Sequence, residues 1–200
     1  MVRRMAFCTL LMLLGFLLHA QITNYAGTGL VRTGVTFSPS IMLFHPDIHY
    51  YINGQSDFFF EDNISLRSDL FFVNYQQNNE LNLKHNSLLL TGPAFHYSYG
   101  KWDSWISIQP GLELIKMNTF DTAHFKSTAE PVLALSAGVN FYFSKYFHFF
   151  INGNINHSNY NGGESGVNMD EARILAGLGF HIHYHKFAYW ENHLPDFQNK

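Results

Sequence analysis

The chain has 200 residues, a formal net charge of -3, 14% charged residues, 17% aromatic residues and a mean hydropathy of -0.09. A soluble domain usually carries about 25% charged residues, and the weak net charge gives no sign of nucleic-acid binding. After the N-terminus no apolar run reaches the roughly 20 residues that a transmembrane helix needs.

Residues 1–20 have the pattern of a secretory signal peptide. An apolar centre over 7–18 follows a basic start, and the small residue Ala20 precedes the expected cleavage site before Gln21. A retained anchor helix is the alternative, but the apolar run is short for one. Cleavage would remove Cys8, the only cysteine, so the mature chain would have no disulfide, no cysteine-based metal site and no cysteine nucleophile.

The rest of the chain alternates with period two, which is typical of strands with two different faces. A membrane-crossing strand needs about 9–11 residues when it is tilted, and eight segments satisfy that length. The predicted strands are 30–43, 48–60, 64–73, 85–99, 104–116, 131–143, 146–158 and 171–184.

The connections between these strands alternate in length. Short turns are predicted at 61–63, 100–103 and 144–145, and long polar loops at 74–84, 117–130 and 159–170. The first connection, 44–47, departs from the alternation because it is also short. Outer-membrane barrels have short periplasmic turns and longer outside loops, so the pattern predicts an up-and-down barrel with both termini in the periplasm.

The charged side chains within the strands indicate which face turns inward. Three bases and three acids share the small, polar face, and we predict that they form a lumen charge network: Arg32, Asp57, Arg67, Asp69, Glu113 and Arg173. An arginine facing lipid at mid-strand would cost about 2–4 kcal/mol, whereas opposite charges can pair inside a lumen. A soluble lipocalin-like barrel would turn the bulky face inward. Its outer face would then carry side chains that are too small and too rich in glycine for a normal soluble surface.

Aromatic side chains collect on the apolar face near the short-turn end, where they predict a girdle at one membrane interface. The members are Phe58, Phe60, Tyr97, Tyr99, Phe141, Phe143, Phe147, Phe149, Phe180 and Tyr184.

These features, with a last strand that contains Gly177, Gly179, Phe180, Ile182 and Tyr184, resemble the small eight-stranded outer-membrane barrels of Gram-negative bacteria, the OmpA/OmpX type. The resemblance covers residues 30–184. It implies an all-β, eight-stranded antiparallel up-and-down transmembrane β-barrel over residues 21–184 in the cell outer membrane. The implied partners are outer-membrane lipid, lipopolysaccharide and the barrel-insertion machinery. The chain departs from the type by continuing past its last strand, and we expect 185–200 to be a short periplasmic tail.

Eight strands enclose an interior just wide enough for side chains to fill it. We therefore expect a non-enzymatic barrel with a charge-filled lumen and a structural or surface-interaction role. The first alternative is a small pore for ions or small solutes, lined by the same charges. The loops contain no motif that identifies an extracellular ligand.

A second alternative is a lipid A-modifying hydrolase. Residues 156–159 faintly resemble the histidine–serine motif of outer-membrane lipid A deacylases, in which the two residues are two positions apart. His157 and Ser158 are adjacent instead, which places them on opposite faces, and a serine nucleophile needs its base within hydrogen-bond reach. We therefore predict no enzymatic activity.

Alternating histidines on the last strand raise the question of a metal. His181, His183 and His185 share one face, and His148 enters from the neighbouring strand. Imidazoles at positions i and i+2 of a strand can share a metal ion. The sequence offers no nearby inward carboxylate or cysteine, so we expect histidines at the lumen rim, without a metal or other cofactor.

Overall fold

The computed structural model describes residues 26–45, 47–77, 83–118, 125–161 and 166–183. The expected signal peptide, Tyr184 and the expected tail over 185–200 lie outside the described residues. The described part of the chain contains nine β-strands: β1 (Leu30–Met42), β2 (Ile48–Glu61), β3 (Ile64–Gln77), β4 (Leu83–Tyr99), β5 (Trp102–Asn118), β6 (Phe125–Tyr142), β7 (Phe147–Tyr160), β8 (Val167–Asn168) and β9 (Glu171–His183). Within the same ranges, no helix is long and apolar enough to cross a membrane.

Eight of these described strands form the wall of a closed barrel. Each strand from β1 to β7 pairs antiparallel with the next, β7 pairs with β9, and β9 pairs back with β1. The short β8 pairs only with the end of β7, at Asn159 and Tyr160. The predicted eight-stranded antiparallel up-and-down barrel is therefore confirmed.

The strands at the long-loop end extend further than predicted. β3 continues to Gln77 instead of 73, and β6 begins at Phe125 instead of 131. The predicted loops 74–84 and 117–130 were therefore too long. The error has a physical cause, because beyond the lipid both faces of a strand can meet water. The apolar–polar alternation that marks a strand then fades while the backbone ladder continues.

The turn predicted at 100–103 was also too long. The turn proper occupies 100–101, where Gly100 has a φ of 58°, a conformation that glycine adopts at little cost. β5 already begins at Trp102, and Asp103 is completely buried.

The two faces of the wall differ along the whole barrel. On β7, exposed and buried residues alternate without interruption. The outward side chains are mostly large and apolar, as at Phe149, Ile151 and Ile155, while the alternating inward positions include His148, Asn152 and Asn154. This arrangement has an apolar exterior and a polar lumen, as in membrane-spanning β-barrels.

Candidate functional site in the barrel lumen

Two arginines and three aspartates form a lower network near the short-turn end of the lumen. Arg32 donates a hydrogen bond from Nη2 to Oδ2 of Asp57 at 3.0 Å and a further bond to Asp103. Arg67 donates from Nη1 to the same Asp57 oxygen at 3.1 Å and from Nε to Asp69 at 2.9 Å. Asp57 thus links the two arginines, and all five side chains are buried.

Aromatic rings flank both arginines of the lower network. The guanidinium carbon of Arg32 lies 4.9 Å from the centre of the Phe59 ring, and that of Arg67 lies 3.9 Å from the Trp105 ring. Both are cation–π contacts, which strengthen when water is excluded. Phe59 also belongs to a lower lid, an apolar cluster that closes the short-turn end with Ala26, Leu30 and Tyr142.

A separate upper network is centred on Glu171, near the loop end. One oxygen of Glu171 contacts Nδ1 of His49 at 2.6 Å and accepts the hydroxyl of Tyr51 at 3.0 Å. Its other oxygen pairs with Arg173 at 2.5 Å. Ion pairing and hydrogen bonding together compensate the burial of this carboxylate.

Glu113 is the second carboxylate of the upper network. It accepts hydrogen bonds from the Asn86 amide at 2.7 Å and from the Ser158 hydroxyl. Above it, five buried side chains form an upper lid at the loop end: Met42, Leu83, Ile115, Tyr160 and Met169.

An apolar layer lies between the two networks over part of the lumen, and a buried hydrogen-bonded chain connects them beside it. In that chain Gln109 donates to Asp69, Ser136 donates to Gln109, Asn154 donates to Ser136 and Arg173 donates to Asn154, at 2.7–2.9 Å.

The buried members of the apolar layer come from six strands and are Tyr51, Phe71, Leu88, Leu90, Val132, Ala134, Phe150 and Leu175. The guanidinium carbon of Arg173 lies 4.7 Å from the Tyr51 ring and 4.8 Å from the Phe71 ring, so the upper network rests on this layer. Between Arg67, Trp105 and Leu175, the packing leaves no volume for a water molecule.

The structure buries all six residues of the predicted charge network and arranges them in two charge networks that a chain of neutral side chains connects. Sequence reasoning missed Asp103, Glu171 and the histidines that contact them. His96 approaches Asp103 through Nδ1 at 3.1 Å, as His49 approaches Glu171. Glu171 lies two positions before Arg173 on the same strand and therefore points to the same face, which is a signal that could have revealed it. Asp103 was hidden by the turn predicted over it.

Two of the histidines near the short-turn end contact each other. Nδ1 of His148 lies 3.4 Å from Nδ1 of His181, while His183 is only half-buried. His185 lies outside the described residues. Across the described ranges, no group of three or more His, Cys, Asp or Glu side chains is arranged to hold a metal ion.

His157 and Ser158 point to opposite sides of the wall. The His157 side chain is 63% exposed on the exterior and contacts Asp170 at 2.7 Å. Ser158 is buried in the lumen, where its hydroxyl donates to Glu113. The two side chains therefore do not form a nucleophile–base pair.

The nine described residues of the predicted girdle lie on outward-facing strand positions or in the turn at residue 143, with Tyr97 and Phe141 half-buried. Trp102 was not among the predicted girdle residues, yet its ring centre lies 4.7 Å from that of Phe141. The prediction also missed a second aromatic group towards the loop end. There the ring centres of Phe37, Tyr50 and Tyr75 follow one another at 5.6 and 5.8 Å.

No protein-family model matches the chain, and no curated protein matches it. Solved structures do match. Neisserial surface protein A is 9% identical, with a TM-score of 0.55 over 79% of this chain and 99% of that one. The outer membrane protein OprG from Pseudomonas aeruginosa is 10% identical, with a TM-score of 0.55 over 79% and 98%. The N-terminal barrel domain of OprF from the same organism is 16% identical, with a TM-score of 0.52 over 78% and 99%. The chain therefore has the fold of the small outer-membrane β-barrels, as the sequence resemblance predicted.

Proposed function

We propose that this chain is a non-enzymatic protein of the cell outer membrane, with a sealed lumen and a structural or surface-interaction role. The observation that carries this proposal is the layering of the lumen. A lower lid, a lower network, an apolar layer, an upper network and an upper lid follow one another along the barrel. At the level of the apolar layer, hydrogen-bonded Gln109, Ser136 and Asn154 fill the rest of the lumen and connect the two networks. On this proposal the predicted charge network is a plug and gives the wall a rigid interior.

The sealed lumen counts against the small pore. A permeating ion would have to separate the pairs around Asp57 and then those around Glu171. Removing one partner of a buried pair typically costs about 3–5 kcal/mol. Between the two networks the ion would also have to pass closely packed side chains, because the space between Arg67, Trp105 and Leu175 leaves no volume for a water molecule.

The separation of His157 from Ser158 counts against the hydrolase. Ser158 is committed to Glu113 inside the lumen, and His157 faces outward beside Asp170. A substrate that reached one of them would be separated from the other by the barrel wall.

The outer surface supports lipid and lipopolysaccharide as partners. The apolar exterior lies between two groups of aromatic side chains, which are the kind of residue found at both membrane interfaces. The predicted girdle would mark the periplasmic interface, and the stack of Phe37, Tyr50 and Tyr75 the outer one. We also propose that the barrel-insertion machinery delivers the chain to this membrane.

Conductance across a planar lipid bilayer tests the sealed lumen. The sample is protein refolded without residues 1–20, with folding verified by the heat-dependent mobility of the barrel in gels. We expect no current steps from the wild type. We also expect silence from Arg67→Ala and Glu113→Ala, because each variant damages one network and leaves the other network and the apolar layer intact.

Reproducible current steps from the wild type would contradict the plug and favour the pore. An increase in conductance in either single variant would show that one network alone controls a path. The hydrolase is tested separately by the mass spectrum of lipid A after overexpression. We expect no change from cells that carry the empty vector.

A further inference from the structure

The seam between the first and last barrel strands is interrupted in the middle. β1 and β9 pair over 30–34 with 179–183, and again over 40–42 with 171–173. Between these stretches, residues 35–39 and 174–178 form no ladder pairs with each other, although each stretch stays paired with its other neighbour, β2 or β7. The register is the same on both sides of the interruption, so no bulge accounts for it. The β6–β7 seam, in contrast, is continuous from Val132 and Ser158 to Tyr142 and His148.

Unpaired backbone groups are costly in the lipid core, because there is no water there to replace the missing bonds. One side-chain bond partly closes the gap, since the Thr36 hydroxyl donates to the Ala176 carbonyl at 2.6 Å. Val35 and Ile174, on the two edges of the gap, are 70% and 66% exposed. The interruption therefore faces lipid.

A second interruption, between β4 and β5, is of another kind. It includes Pro93 and Pro110, which have no backbone N–H to donate. The two backbones are packed tightly there, since a Cβ added to Gly92 would lie 2.1 Å from the Ile108 oxygen. In the β1–β9 gap only Pro39 lacks an N–H, so proline does not explain most of the missing pairs.

Behind the β1–β9 gap, one aromatic ring of the apolar layer lies directly against the wall. The ring of Phe150 lies under Gly34 and Gly177, where an added Cβ would come within 2.9 and 2.7 Å of it. Phe150 is itself a member of the apolar layer. Neither 35–39 nor 174–178 contains a charged residue. The route from lipid thus reaches the apolar part of the lumen without meeting a charge.

We propose that the β1–β9 seam is a lateral binding site for an apolar chain, and that a lipid acyl chain enters the apolar layer there when Phe150 moves aside. The charge networks stay in place, so this site goes beyond the proposed function and needs no ion conduction. It would also give the apolar layer a role besides that of sealing the lumen.

Trp105 can report on such a chain, because it lines the same packed space as Phe71 and Leu175. We would make it the sole tryptophan with Trp102→Phe and Trp190→Phe, and add nitroxide-labelled stearic acid to the bilayer. In this background, Phe150→Ala and Phe71→Ala each remove one ring from the apolar layer. Only the first ring lies against the seam. We expect the acid to quench Trp105 fluorescence more strongly in Phe150→Ala than in Phe71→Ala, and equal quenching would overturn the proposal.

A disulfide can close the site in the same protein. By register, Val35→Cys and Leu178→Cys face each other across the gap, while Val139→Cys and Ile151→Cys face each other across the continuous β6–β7 seam. Added to Phe150→Ala, the first pair should abolish the extra quenching when oxidised and restore it when reduced. The second pair should have no effect. Quenching that ignores oxidation of the first pair would also overturn the proposal.

Hydrogen exchange tests the seam in the wild type and does not depend on the folding of any variant. The amides of 35, 37, 174, 176 and 178 point towards the gap, whereas those between them point to the intact β2 and β7 ladders. The gap-facing amides should exchange at least about tenfold faster than those of 134–138 on β6, since local opening sets the rate. Equal protection of the two regions would contradict a seam that opens.

Discussion

Arg67 shows how one side chain can hold a lumen together. It pairs with two aspartates, donates to Gln55 at 2.7 Å and stacks on Trp105. We expect Arg67→Met to lower the free energy of unfolding by about 3–5 kcal/mol, because it leaves buried carboxylates without their cation. Urea titration of the refolded barrel, followed by tryptophan fluorescence, measures the change. The exposed Lys145→Met is the control, and the interpretation fails if both variants unfold alike.

Gly138 makes room for the ring on which Arg67 lies. A Cβ at this position would come within 2.8 Å of Trp105 and 2.3 Å of the side-chain amide of Asn152. We expect Gly138→Ala to destabilise the barrel by about 1–3 kcal/mol through overpacking. Gly153, on the neighbouring strand, faces outward into open space. The matched variant Gly153→Ala should stay within about 0.5 kcal/mol of the wild type in the same titration.

At the scale of elements, a hydrogen-bonded latch joins the start of β1 to the β2–β3 turn. The backbone N–H and the hydroxyl of Thr28 donate to Asp62 at 2.9 and 2.8 Å, and these bonds lower the pKa of Asp62. Since the charged carboxylate is the better acceptor, its contribution is present above the usual pKa of 3.8 and is lost as the pH falls below that value.

Asp62→Asn resembles the protonated acid. At neutral pH it should therefore unfold more easily than the wild type, and in acid the two proteins should unfold alike. The difference at neutral pH should be below about 1 kcal/mol, because water screens this exposed site. Unfolding midpoints across the pH range measure it. Glu61→Gln removes an exposed carboxylate that has no hydrogen-bond partner among the described residues, and should show no such convergence. A difference in unfolding midpoint between Asp62→Asn and the wild type that is as large in acid as at neutral pH would contradict the latch.

The strand faces were predictable from sequence, whereas the strand ends were not. Period-two alternation placed Arg67, Gln109 and His96 on the inward face, where they are buried. Alternation reports a difference between two environments, so it identifies a strand only where one face meets lipid and the other the lumen. β6 begins at Phe125, six residues before the predicted start. The hydrogen-bonded ladder with β5 continues there, although the sequence no longer alternates between apolar and polar residues.

On the scale of the whole molecule, the layering of the lumen was beyond sequence reasoning. Arg32 meets Asp103 across 71 residues, and such pairs depend on the stagger between strands. The alternation along a strand shows that a side chain points inward, but it does not show how far along the barrel axis the side chain lies. From sequence the charged residues therefore looked like one undivided network. The barrel instead arranges them in two networks, with an apolar layer between them on one side and a hydrogen-bonded chain through Gln109, Ser136 and Asn154 on the other. Closure also creates the β1–β9 seam, because it brings together the two ends of the described barrel.

The outer face makes a prediction that depends on the barrel as a whole. If the apolar exterior lies in lipid, a cationic side chain should destabilise the barrel most at the middle of this exterior and least at its edge. Ile151 lies on the outward face of β7 between Phe149 and Ile155, and Ser104 lies outward near the short-turn end. We expect Ile151→Arg to cost about 2–4 kcal/mol in bilayers and Ser104→Arg about 0–1 kcal/mol. Equilibrium unfolding from lipid vesicles measures both. A similar cost at the two positions would mean that the apolar exterior is not immersed, and the proposed outer-membrane location would then lose its main physical support.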